Sequence, residues 1–207
     1  MWLYDWIVQW YARYALIRCS AFTKRKTRAE SLASYTLVTT CLLACELEHL
    51  GQLTVLIDAL ADVVGEDLVR ANSGVPDYWA ATDERLLTSE RLEALVNGMN
   101  QLDRAAREII TLHYVEMIDV GAIAKLLRRP PAEVMTKMGE GERVLSERLG
   151  GAPGIGAACN VDVRGVLAEL AAALDTSFAG PIGGCALGYL AKHQRENRIG
   201  LDQHGAN

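Results

Sequence analysis

The stretch Leu102–Leu149, LDRAAREIITLHYVEMIDVGAIAKLLRRPPAEVMTKMGEGERVLSERL, decides the fold. Its apolar residues recur every three or four positions, the spacing of one helical face. Asp103 stands where it can cap a helix over 104–116, and Asp119 where it can cap a second over 120–128. Pro130 and Pro131 stop that helix, and Pro131 suits the first turn of a third over 131–149. Ile109, Leu112, Ile123, Leu126, Leu127, Val134, Met138 and Leu145 are then placed to share a small core. Three helices with a tight break between the last two have the spacing of a helix-turn-helix. That unit lays its final helix in the major groove of DNA.

Upstream, a helix of ERLEALVNGMN, capped by Thr88 or Ser89, leads into this stretch. Residues 66–88 have weak periodicity and turn signals at Asn72-Ser73-Gly74 and Pro76-Asp77, and read as a linker. Before it, LTVLIDALADVV is a helical run closed by Gly65. A longer helix starts near Arg28, where Thr27 and Glu30 form a T-x-x-E capping box, and runs to about Leu50. Leu32, Tyr35, Leu42 and Leu43 mark its apolar face. At the start of the chain Trp2, Trp6, Trp10 and Tyr14 recur at intervals of four, an aromatic stripe that packs a first helix on the core. Downstream, GGAPGIGAACN is a flexible linker by composition. VRGVLAELAAALD is then a strong amphipathic helix opened by Asn160 or Asp162, and a second helix from about Pro181 to Arg195 completes a hairpin.

The expected architecture is all-α. It has an N-terminal helical module (1–65), a linker (66–88), a helix-turn-helix module (89–149), a second linker (150–160) and a C-terminal helical extension (161–207). Half of the 207 residues are hydrophobic, enough for a core. The net charge of −5 and pI near 5.4 argue against a wholly basic nucleic-acid coat protein but leave room for a local basic surface. The five cysteines are odd in number, and the aromatic N-terminus with its early Asp5 does not resemble a signal peptide; reduced thiols in a cytoplasmic protein are expected. No apolar run is long enough to span a bilayer, so no membrane role is expected.

Residues 99–149 resemble the C-terminal promoter-reading module of bacterial RNA polymerase sigma factors of the extracytoplasmic-function type. Leu102 stands at the module's first Leu, with Asp103 in place of Pro. Arg107, Ile109, Ile110, Leu112, Tyr114, Val115 and Glu116 follow in register. Ile123-Ala124 and Leu126-Leu127 match its second helix, and Val134 its third. Upstream, Ala29-Glu30-Ser31-Leu32-Ala33 resembles a run in the sigma factors' polymerase-clamping module. The resemblance implies a transcription regulator with RNA polymerase core as partner, promoter DNA as a second, and an anti-sigma or other regulatory protein as a third. It points to Arg128, Arg129, Thr136, Lys137 and Arg143 as DNA contacts, and to Lys24, Arg25, Lys26, Arg28 and Glu30 on the polymerase side.

Two departures qualify it. The segment GQLTVLIDALADVVGED, at the family's strand-melting position, has no aromatic residue and no Lys or Arg, so it lacks the stacking faces and cations of single-strand capture. The third helix has Glu140 and Glu142 where the family has Arg, and over 131–149 Lys137, Arg143 and Arg148 face Glu133, Glu140, Glu142 and Glu147. The alternative is a sigma-derived protein-interaction module that has lost promoter recognition and melting.

Other constellations carry less. Cys41, Cys45 and His49 share one helical face at zinc-ligand spacing, with Cys19 a possible fourth ligand, but buried free cysteines are commoner. The basic turn Lys24–Arg28 reads either as an anionic-partner contact or as a solvated loop. His113 reads as a packed or hydrogen-bonded core histidine. No catalytic arrangement, cofactor motif or metal site is expected: GAPGIGAAC has glycine spacing, but no strand feeds it.

Overall fold

In the computed structural model, residues 3–44, 50–72, 84–150, 162–174 and 176–179 are described. Their regular structure is helical: α1 (Leu3–Cys19), α2 (Lys26–Leu43), α3 (Leu53–Asn72), α4 (Glu90–Asn100), α5 (Arg104–Ile110), α6 (Val120–Leu127), α7 (Pro131–Gly150) and α8 (Val163–Ala173). The only bridge among the described residues pairs Arg25 with Arg85, antiparallel. The fold is all-α, and no described helix is long and apolar enough to cross a membrane.

The N-terminal helices pack by small and aliphatic side chains. On α2 the buried stripe is Ala29, Leu32, Ala33, Thr36, Leu37, Thr40 and Cys41, which lets α1 approach closely. Tyr35, expected on that face, is exposed, because the stripe turns on small residues. The helix also starts earlier than Arg28. Arg25 is its N-cap, without a side-chain cap bond, so Thr27 lies inside the first turn instead of capping it. On α1 the large fully buried side chains are Ile7, Tyr11, Tyr14, Leu16 and Ile17; Trp6 and Trp10 pack at the rim and Trp2 lies outside the described residues.

Gly65 does not end α3, which continues to Asn72. A β-carbon at Gly65 would lie 2.3 Å from the Phe22 ring, so this glycine serves close packing and not termination. The helix therefore takes up the first residues of the expected linker; residues 73–83, and those from 180 on that hold the second helix of the expected hairpin, lie outside the described residues.

Two hydrophobic clusters result. The larger runs without a break from Ile7, Tyr11 and Leu37 through Ile57, Leu95 and Met99 to Leu145, Val166 and Leu170. The smaller is Ile109, Leu112, Ile123, Ala124 and Val134, edged by Leu126, Leu127 and Met138. The latter is the small core expected from the sequence, except that Leu145 joins the larger one.

Candidate nucleic-acid interface

The α5–α7 unit is built from local signals. Asp103 and Asp119 cap α5 and α6, accepting from the Ala106 and Ala122 amides at 2.9 and 3.0 Å. The helix expected over 104–116 is α-helical only to Ile110, then widens into a π turn, Thr111–Val115. The buried Thr111 hydroxyl donates to the Arg107 carbonyl at 2.9 Å, a back-bond that loosens helical geometry. Met117 then takes a left-handed φ of 57°, which aims Ile118 at the small core, and the Ile118 carbonyl lies 2.8 Å from His113 Nδ1.

The turn between α6 and α7 is a Schellman turn. The Arg129 amide donates to the Ala124 carbonyl at 2.9 Å, the Arg128 amide to Lys125 at 3.3 Å, and Arg128 sits at φ 53°, ψ 43°. Gly or Asn ordinarily holds that position, because a β-carbon there costs roughly 1–2 kcal/mol. Arg128 is exposed and has no ion-pair partner among the described residues.

The other proposed DNA contacts are brought onto the same outer surface with their charge compensated. Arg129 pairs with Glu133 at 2.5 Å, Lys137 with Glu140 at 2.9 Å and with Asp103 at 3.5 Å, and Arg143 with Glu147 at 2.6 Å. The Thr136 hydroxyl donates to the Ala132 carbonyl of its own helix at 2.9 Å. Each such surface pair is worth only about 0.3–0.5 kcal/mol, so a phosphate could displace it, but the face stays close to neutral. Glu142 is different. It turns away from this surface to accept from the Tyr114 hydroxyl, and the Arg164 guanidinium lies 3.3 Å away and over the Tyr114 ring. Glu142 is thus used by Tyr114 and Arg164, while α8 itself is seated by its buried Val163, Val166, Leu167 and Leu170.

The polymerase-side set is tied to the chain itself. Lys24 pairs with Glu93 at 2.9 Å, its carbonyl accepts from the Leu86 amide at 2.9 Å, and the Lys26 amide donates to the Glu84 carbonyl at 2.8 Å. With Arg25 bridged to Arg85, the basic turn is docked on residues 84–93, and Arg28 and Glu30 follow in the first turns of α2.

Sequence reasoning missed a buried polar group beneath this unit. Arg107 reaches Asp58 at 2.8 Å, the Tyr14 hydroxyl at 3.2 Å and the Asn100 carbonyl at 3.1 Å. Arg18 reaches Asp58 at 2.9 Å, Asp62 at 2.5 Å and the Asn100 side chain at 3.1 Å. Glu108 accepts from Tyr11 at 3.0 Å and from Thr54 at 3.1 Å. Burial pushes the Glu108 carboxyl up to about 7, against the lowering effects of those two bonds and of Arg104 and Arg129. The available signal was charge at core spacing: Asp58 and Asp62 interrupt an apolar run four residues apart, and Arg18 ends an aromatic helix.

Of the expected zinc set, Cys19 and Cys41 are buried free thiols, and Cys45 and His49 lie outside the described residues. Compared with protein-family models, curated proteins and solved structures, the chain matches none.

Proposed function

We propose that the chain is a sigma-factor-like regulator of transcription. In this reading α6, the Arg128 turn and α7 act as a helix-turn-helix toward duplex DNA, and the α1–α3 half faces RNA polymerase. The observation that carries the reading is the turn itself: a capped α6, a left-handed Arg128 and a proline-started α7 close over one small core. Arg128 occupies a strained backbone position at the joint and exposes a cation there, the kind of outlier that points to function. Phosphate contact by Arg128 and Arg129 would set the register of α7 on the duplex.

A second reading has its own support. The three ion pairs along α7 leave its outer face near neutral, which suits a protein partner better than a polyanion. Fluorescence anisotropy with a labelled duplex separates the two. The DNA reading expects weak binding that falls steeply between about 50 and 200 mM salt, with Arg128→Ala reducing the log–log slope by about 1. Absence of binding to any duplex at low salt leaves the protein-interaction reading, and co-purification with core polymerase then tests the remaining half of the assignment.

A further inference from the structure

The first turns of α7 are divided by charge. By helical spacing Ala132, Thr136 and Gly139 point away from the buried Val134, Gly141 and Leu145; Met135 flanks them on one side, and Glu133, Lys137 and Glu140 on the other. The charged flank is closed on itself, Glu133 holding Arg129 and Glu140 holding Lys137. The centre and the Met135 flank carry no charge. Met135 is 54% exposed, the Thr136 hydroxyl is spent on the Ala132 carbonyl, and at Gly139 nothing lies within 4 Å of where a β-carbon would stand.

Cations without partners border this strip. Arg128 at the joint, Lys125 on the last turn of α6 and Arg104 at the start of α5 are exposed, and none has an ion pair or side-chain hydrogen bond among the described residues. Arg104 follows Asp103, which reaches Lys137 at 3.5 Å, so α5 begins beside the second turn of α7. An uncharged strip edged by free cations complements a duplex groove, whose base edges lie between two rows of phosphate.

On the helix-turn-helix reading, on which this rests, we infer that the duplex is read through thymine methyl groups, met by Ala132, Met135 and the Thr136 methyl, while Arg104, Lys125 and Arg128 hold phosphates.

The major groove leaves few other choices. Purine N7, guanine O6 and thymine O4 accept hydrogen bonds, and the strip offers them no free donor. The amino groups of adenine and cytosine need an acceptor, and the carboxylates at hand are held by Arg129 and Lys137. The thymine C5 methyl needs only an apolar surface, and the flexible thioether of Met135 can follow it. Each methyl so buried is worth about fourfold in affinity.

The test begins with selection by the full chain from a duplex library with a randomised centre, at low salt. The enriched duplex is then built twice, with thymidine and with deoxyuridine, which lacks only the C5 methyl, and each is titrated by anisotropy. The thymidine duplex should bind about fourfold tighter for each methyl contacted. Met135→Ala and Thr136→Ser, changes at exposed positions, should each shrink that ratio. Lys125→Ala should weaken both duplexes alike and lower the salt slope by about 1. Equal binding of the thymidine and deoxyuridine duplexes overturns the inference and leaves the helix-turn-helix reading standing, as does a ratio unchanged in both Met135→Ala and Thr136→Ser. A library from which no duplex is enriched overturns both.

Discussion

The Arg107 guanidinium of α5 lies 2.8 Å from Asp58 of α3, and both side chains are nearly out of water, 6% and 15% exposed. Asp58 is held a second time by Arg18 of α1 at 2.9 Å. One carboxylate therefore fixes three helices, two from the N-terminal third of the chain and one from the unit that carries the turn at Arg128. Such a pair adds little net stability over an apolar replacement, but removing one partner strands the other.

Arg107→Ala should accordingly destabilise the fold by about 3 kcal/mol, the lower end for a broken buried pair because Arg18 still covers Asp58. Arg107→Lys should leave most of that loss in place. A lysine ammonium cannot reach Asp58, the Tyr14 hydroxyl and the Asn100 carbonyl together as the guanidinium does. Urea unfolding at pH 6, read by circular dichroism, measures both; a near-neutral Arg107→Ala would show that the pair does not hold the helices.

Arg128→Gly should raise stability by roughly 1 kcal/mol, because glycine accepts the left-handed backbone without strain. If the unit binds duplex DNA as proposed, the same change should weaken that binding by removing the exposed cation at the joint. A thermal melt and an anisotropy titration on one sample read the two opposite effects. Loss of stability in this variant would mean that the arginine side chain holds the turn by a contact of its own.

The glycines of the long helices should respond differently to alanine. Gly139 has nothing within 4 Å of where a β-carbon would stand, so Gly139→Ala should stabilise α7 by about 1 kcal/mol. Gly65→Ala pushes a methyl into the face of the Phe22 ring and should destabilise by about 1–3 kcal/mol. Gly141 is intermediate: its β-carbon would stand 2.4 Å from the tip of the buried Ile110 and 3.5 Å from the Ala106 methyl, so Ile110 must repack and the change should destabilise, by less than Gly65→Ala. Denaturant midpoints for the three variants rank them directly.

The thiols of Cys19 and Cys41 should be inert while the chain is folded. Burial is the main cause in each, raising Cys19 to about 11 and Cys41 to about 12. Iodoacetamide at pH 8 followed by peptide mapping should leave both unmodified in the native protein and label both in urea, since only the thiolate reacts. Rapid labelling of Cys41 in the folded state would contradict its place in the α2 core stripe.

Much of the turn-bearing unit was legible because its signals are local. Asp103, Asp119 and Pro131 act within one turn of themselves, and α5, α6 and α7 begin where those residues direct. The same logic failed where a residue served a distant contact. Gly65 looks like a terminator until the Phe22 ring is beside it, and Tyr35 looks like core until small residues take that face. Glu142 looked like one more misplaced acid on a DNA-facing helix until Tyr114 and Arg164 accounted for it.

By itself the sequence determined the all-α class, the three-helix unit over 104–149 with its caps and small core, and the excess of acid on the third helix. These follow from periodicity, capping and composition, which need no knowledge of neighbours far along the chain. Only the tertiary structure decided how the charges are used. The pairing of Arg107 with Asp58, the burial of Glu108 between Tyr11 and Thr54, and the separation of Glu142 from the other α7 acids depend on helices brought together across about 20 to 100 residues of chain, where the desolvation and contact that set a charge's energy are first defined.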